Sequence, residues 1–343
     1  MMNRLSPRAR ALVSIGGRVV LALALLTFLL SQVPLHQVGT LLLHIQRGLA
    51  LAAVAVILCV GFITTAKWLV LLRALDVPVQ VSRVLRLSYI AVTWNLALPG
   101  GESGNLVKAL LLTRQAPQFT ARVWASLLVD QLSLALAQLV VALLTLSLTS
   151  RPPADLHTWL VVIAFSLAGT LLFYATFAFG PLARLVEGPI QRLSQRLIIP
   201  ARFRRTPAPA ENQPGAATAP GEWLLPFWRS LTYYRGHPRS LLIAAGFAVG
   251  YYGTLFGAYW LAARSLGIPF GYADIAWVTA LAGIAALAPI TIAGVGVREG
   301  IITYYLHQHG IATSQALTFS LVVLALNIVL GLPGLVLHLM RQR

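Results

Sequence analysis

Asn95-Leu96-Ala97-Leu98-Pro99-Gly100-Gly101-Glu102-Ser103-Gly104-Asn105-Leu106-Val107-Lys108 breaks an apolar segment in its middle. Apolar character runs over residues 84–98, stops at 99–104 and resumes over 105–112. Proline removes a helix donor and glycine favours non-helical backbone. Neither arm can cross the hydrocarbon of a bilayer, which takes about 20 helical residues. A second segment has the same build, with arms at 275–288 and 297–307 and a break over 289–296. The landmarks keep register: Pro99, Gly104 and Lys108 recur as Pro289, Gly294 and Arg298, each 190 positions later. Upstream, Arg73-Ala74-Leu75-Asp76-Val77-Pro78 recurs as Arg264-Ser265-Leu266-Gly267-Ile268-Pro269, 191 positions later. Broken backbone survives at membrane depth only where protein or a water-filled cavity satisfies its polar groups. The pattern P-x4-G-x3-[KR] therefore predicts two helix–break–helix hairpins, one in each half of a duplicated chain.

Around the hairpins lie long apolar spans at about 16–35, 49–72, 123–148, 159–180, 241–263 and 314–338. The chain is 58% hydrophobic and only 10% charged, against about 25% charged in an ordinary soluble domain. It cannot cover a water-facing surface and reads as a polytopic membrane protein. A net charge of +17 would suggest nucleic acid in a soluble chain. Here cationic loops that set orientation and touch anionic headgroups account for it, and no nucleic-acid partner is expected. The basic stretch 1–18 followed by an apolar run imitates a signal peptide. No small-residue cleavage site follows, so it reads as a retained first helix. The single cysteine, Cys59, rules out an internal disulfide.

The basic residues choose between two topologies. If each broken segment turns back, each half crosses three times and the second half is inverted; if each crosses, the repeats are parallel. Under the first arrangement 22 of the 26 basic residues fall on the cytoplasmic side, leaving Arg47, Arg151, Arg264 and Arg298 outside. The second would send the nine-arginine loop between Arg184 and Arg239 outward, against the positive-inside bias. The expected fold is all-α: two inverted repeats, residues 1–150 and 151–343, each of three transmembrane helices plus one re-entrant hairpin (about 84–112 and 275–308). A cytoplasmic loop occupies about 183–240, with both termini on the same side. Within it, residues 202–221 read as a Pro/Ala-rich linker, and the flanks 183–199 and 223–234 as helices in the headgroup plane. Arginine-rich, lysine-poor composition fits a GC-rich bacterium, hence an inner-membrane location.

Residues 95–108 resemble the first signature of the lysylphosphatidylglycerol synthase transmembrane-region family, an N-x-x-x-P followed by G-E-x-x-R. Gly294-Val295-Gly296-Val297-Arg298-Glu299-Gly300 resembles its second, G-x-G-x-R-E. Asn105 stands where the family usually has an acidic residue after the glycine, Glu102 lies nearby, and Lys108 stands in place of arginine. The resemblance implies a flippase-type membrane region; with no aminoacyl-transferring domain in these 343 residues, it implies lipid translocation without synthesis.

Candidate substrate-binding residues are Asn95, Gly101, Glu102, Gly104 and Lys108 in the first hairpin, Asp130 in the third long span, and Gly294, Gly296, Arg298 and Glu299 in the second hairpin. Ionisable groups inside a membrane are costly and usually face a partner or a wet cavity. Arginine's planar fork suits bidentate phosphate contact, lysine offers a point charge, and glycine breaks expose backbone donors at new helix N-termini. Arg298 and Glu299, adjacent in sequence, are expected to pair with other groups rather than with each other. Structural alternatives stand beside these readings: Arg298 and Glu299 lock the hairpin, Lys108 sits among headgroups, and Asp130 with Gln131 clamps helices. Asn95 and Asn327 read as interhelical hydrogen-bonding groups, and Trp68, Trp94, Trp124 and Trp159 as interface anchors. His307 and His309 are weak metal candidates; no metal or cofactor is expected. The sequence favours a lipid flippase or transporter of a phospholipid or lipid-linked headgroup, not an enzyme. A membrane-embedded lipid-modifying transferase and a non-transporting partner subunit remain alternatives, and homo-oligomerisation is left open. No nucleotide-binding loop occurs; proton coupling through Glu102, Asp130 or Glu299 is left open.

Overall fold

The computed structural model describes residues 35–97, 103–153, 156–178, 180–197, 220–286 and 296–341. All regular elements among them are helices. In chain order these are α1 (Leu35–Leu43), α2 (Arg47–Ala74), α3 (Val81–Ala97), α4 (Ser103–Thr113), α5 (Thr120–Leu148), α6 (Leu156–Ala178), α7 (Gly180–Leu197), α8 (Pro220–Tyr233), α9 (Pro238–Ser265), α10 (Tyr272–Ala286), α11 (Val297–Gln308) and α12 (Thr313–Arg341).

Five of the described helices, α2, α5, α6, α9 and α12, contain stretches long and apolar enough to cross a membrane. They match five of the six spans read from hydropathy. The sixth, at 16–35, falls almost wholly outside the described residues, as does the linker up to residue 219. One short helix, α1, was not anticipated. The hairpin arms are α3 with α4 and α10 with α11. At 1.5 Å per residue the 17 residues of α3 and the 15 of α10 reach only roughly 22–26 Å, short of a span.

The repeated sequence landmark is a repeated piece of geometry. Asp76 has φ 54° and Gly267 has φ 74°, each closing the helix before it with a left-handed residue. At the first, Asp76 N–H donates to Arg73 O and Val77 N–H to Leu72 O; at the second, Gly267 N–H donates to Arg264 O and Ile268 N–H to Ala263 O. A side chain from the start of the next long helix then bonds the last carbonyl: Arg122 Nη1 to Leu75 O at 2.9 Å, and Gln315 Nε2 to Leu266 O at 2.8 Å. These two bonds bring the start of α5 to the end of α2, and the start of α12 to the end of α9.

Packing follows the same correspondence. The long helices α2 and α9 lie against each other and run antiparallel. Gln46 N–H, at the start of α2, donates to Ser265 O at the end of α9; Tyr234 Oη, just before α9, donates to Leu71 O near the end of α2. The hairpin arms exchange partners, α3 packing on α12 and α10 on α5. The first seam is close enough to need glycine: a Cβ on Gly334 would lie 2.0 Å from Tyr89 O. In the second, Gln138 of α5 donates to Ala280 O of α10 at 3.1 Å. Where α10 begins, Asp274 accepts from Thr149 Oγ1 at 2.5 Å and from Arg151 Nη1 at 3.4 Å, fastening the hairpin to the end of α5. The flanking helices α7 and α8 pack on each other, and Ala183 and Trp228 from them enter the core around α2 and α5.

Candidate functional site

A lysine in an apolar helix must find a counter-charge or lose its own. Lys67 of α2 and Lys108 of α4 are both buried, and both reach the carboxylate of Asp130 on α5. Lys67 Nζ lies 3.0 Å from Oδ1 and Lys108 Nζ 3.0 Å from Oδ2. Lys67 also donates to the Asp130 carbonyl at 3.1 Å. Trp68 closes the cluster: its indole N–H donates to Ser126 Oγ at 3.2 Å, and Lys108 Nζ sits 4.5 Å from the ring centroid. A cation over an indole face is a favourable contact when desolvated. Trp68 is wholly buried and therefore not an interface anchor; the ammonium it faces draws it inward.

The clamp offered as an alternative for Asp130 with Gln131 takes another form, with two lysines on the carboxylate. Gln131 takes no part: its buried Nε2 has no hydrogen-bond partner among the described residues. Lys67 was absent from the candidate residues and counted with the loop cations. Yet it lies inside α2 and is fully buried. A compositional signal marks it: Lys67 and Lys108 are the only two lysines among 26 basic residues, and both meet on one carboxylate. Lys67, Lys108 and Arg298 are interior cations, so they drop out of the orientation count without reversing its bias.

In the first hairpin, Asn95 bonds between helices as expected, from α3 to α4. Its Oδ1 accepts the Gly104 N–H at 2.7 Å, supplying a cap to the first turn of α4. Gly104 permits this approach, because a Cβ there would lie 1.9 Å from Ala91 O. Gly101 and Glu102 lie outside the described residues. In the second hairpin, Gly296 has φ 89° and its N–H donates to Glu299 Oε2 at 2.6 Å, so the carboxylate folds back to cap α11. Folded back in this way, Glu299 Oε1 comes within 3.3 Å of Nε and 3.1 Å of Nη2 of Arg298. The expectation that these neighbours pair elsewhere is corrected: the cap brings the carboxylate to its neighbour despite their different helical faces. Gly294 lies outside the described residues. Asn327 does bridge helices, exchanging hydrogen bonds with Tyr259 Oη of α9. His307 and His309 turn to Thr313 Oγ1 and Tyr305 O. No group of three metal-ligating side chains occurs among the described residues.

The two hairpins converge on one cavity of about 200 Å³. Asn95, Asn105 and Lys108 line it from the first hairpin, Thr279, Gly283 and Arg298 from the second. Between them stand Gln138 of α5, which accepts from Tyr252 Oη at 3.0 Å, and Tyr259 with Asn327. Ser88 of α3 lines it too, and its Oγ is buried without a hydrogen-bond partner among the described residues. Thus Asn95, Lys108 and Arg298 share one chamber, with Asp130 and Glu299 behind as the carboxylates that hold the two cations. Its lining mixes apolar side chains (Val60, Val92, Leu255, Phe256, Leu330) with hydrogen-bonding ones. Such a chamber can take an amphiphile whose polar end carries an anion.

A bundle of long apolar helices with two short broken segments around a polar, cation-bearing chamber defines a multi-pass membrane protein with an internal cavity. The chain belongs to the family described as "Lysylphosphatidylglycerol synthase TM region", whose model matches residues 15–334. No curated protein and no solved structure matches the chain.

Proposed function

We propose that the protein moves a phospholipid or lipid-linked headgroup between the leaflets of a bacterial cytoplasmic membrane, without chemically altering it. Membership of the family ties the chain to lipid pathways. One observation carries the more specific reading: the cavity receives a basic residue from each hairpin, Lys108 from one and Arg298 from the other. Phosphate is the headgroup component such cations bind, Arg298 as a planar fork and Lys108 as a point charge.

Alternating access is the movement this reading requires. It is supported by the antiparallel packing of the corresponding helices α2 and α9 and by the bonds that bring the start of α5 to the end of α2 and the start of α12 to the end of α9. Those are the features of inverted repeats with re-entrant hairpins, whose sites lie between the repeats near the midplane. On this reading the first hairpin enters from the cytoplasm, the second from outside, and both termini are cytoplasmic.

Purified protein in liposomes carrying a fluorescent lipid tests the proposal. Wild-type protein accelerates leaflet exchange and leaves the lipid covalently unchanged, while Lys108→Gln and Arg298→Gln each lower the rate at least tenfold at equal protein incorporation. Exchange at the wild-type rate in both variants excludes the site, and a covalently altered lipid replaces transport with transferase activity.

A further inference from the structure

We propose that Lys67 is a positioning residue that frees Lys108 to bind a phosphate oxyanion in the cavity, by holding Asp130 when Lys108 turns away. The inference rests on the cavity being the lipid site, and adds to it a residue that does not line the cavity.

The two lysines are not equivalent in their hold on Asp130. Lys67 hydrogen-bonds the Asp130 backbone carbonyl at 3.1 Å and faces Oδ1 at 3.0 Å as an ion pair outside hydrogen-bond geometry, and it lies within α2. Lys108 is hydrogen-bonded to Oδ2 at 3.0 Å and sits over the face of Trp68, and it is among the residues that line the cavity. A buried carboxylate abandoned by its partner is strongly destabilising. With a single lysine the pair would be locked, because any ligand drawing Lys108 away would strand Asp130. With two, the carboxylate keeps a counter-ion. The ammonium can then exchange Asp130 Oδ2 for an incoming phosphate oxygen, and Lys67 neutralises what it leaves. Lysine's flexible four-carbon stem and compact charge suit such a movement. Arg298 is held otherwise, two of its nitrogens on the neighbouring Glu299.

Trp68 supplies a direct readout, since departure of the ammonium from its ring changes indole emission. The probes are dihexanoyl phosphatidylglycerol and inorganic phosphate, titrated into purified protein in a neutral detergent. Emission of wild type minus that of Trp68→Phe isolates Trp68 from the other seven tryptophans. Binding of phosphatidylglycerol is expected to change that difference signal. An equal response to inorganic phosphate also supports the relay and makes the free anion sufficient. Lys67→Gln leaves Lys108 locked on Asp130, so affinity falls at least tenfold; Lys67→Arg keeps a counter-ion and restores it. Lys67→Gln/Asp130→Asn removes the lock and recovers affinity to within about threefold, whereas a merely structural lysine predicts a double variant worse than either single one.

Wild-type affinity in folded Lys67→Gln, or a double variant no better than Lys67→Gln, overturns the relay while the lipid site stands. Should Lys67→Gln fail to fold, binding without any change in the Trp68 signal overturns it using wild type and Trp68→Phe alone. Absence of binding to wild-type protein overturns the lipid site and the relay together.

Discussion

At the scale of the residue, the two helix ends closed by Asp76 and Gly267 and the glycine Gly104 separate two kinds of demand. Gly267 needs its positive φ, but a Cβ there would meet nothing nearer than 3.9 Å. Gly267→Ala should therefore cost only the left-handed penalty, about 1–2 kcal/mol, read as a lower unfolding temperature with transport intact at permissive temperature. Gly104 needs space instead, with Ala91 O and Asn95 N in the way. Gly104→Ala should cost about 3 kcal/mol, the upper end of ordinary overpacking, and stop lipid exchange even in the protein that still folds. Equal effects of the two substitutions would contradict this division. Lys108 and Arg298 were legible because they end a recurring motif. Lys67 was not, since hydropathy sees it as one cation near the end of a span. Nothing in local sequence reveals that its side chain turns inward to meet a carboxylate 63 residues away. Asn95 was recognised as polar glue, but not as a cap, because the break that brings Gly104 back to it has no regular period.

Among elements, the least expected feature is the exchange of partners between the halves. Apolar spans and breaks are visible in hydropathy, and the described spans follow them closely. Which arm lies on which helix is encoded in shape rather than in pattern. Gly331 and Gly334 permit it on α12, where an added Cβ would strike Leu96 at 2.7 Å or Tyr89 O at 2.0 Å. Thr93 Oγ1 completes the seam by donating to Gly331 O at 2.7 Å. Close backbone approach through small residues drives helix association in membranes, where apolar burial against lipid gains little. Gly334→Leu should separate α3 from α12, and is expected to reduce the folded, monodisperse yield in detergent severalfold. Undiminished yield and unfolding temperature would show that the seam carries little of the stability. Beyond the seam, Tyr233 Oη donates to Asp76 Oδ2 at 3.0 Å, and that bond together with the nearby carboxylate raises the phenol above its ordinary value. The phenol therefore keeps its proton more firmly in the folded protein. The stability it adds is present below pH 10 and is lost as the pH rises through the elevated value. Tyr233→Phe should abolish that alkaline component of the unfolding profile.

For the whole molecule, orientation is the expectation that packing leaves to experiment. In a Cys59→Ser background, Arg229→Cys on α8 and His157→Cys at the start of α6 report on opposite ends, and both positions are exposed. An impermeant maleimide applied to intact cells should label the His157 position and reach Arg229 only after the membrane is opened. The reverse pattern would invert the topology inferred from the arginines. The exchanged seams also govern the order in which the protein can be assembled. Thr93 must wait for Gly331, made 238 residues later. At about 5–20 residues per second that delay is roughly 12–48 s. Throughout it α3 lacks the helix face that finally covers Tyr89, Thr93 and Leu96. A ribosome stalled before α12 would therefore leave α3 partly covered rather than a finished half. Quality control can recognise an incomplete chain by that uncovered face of α3, and α12 is the helix that conceals it.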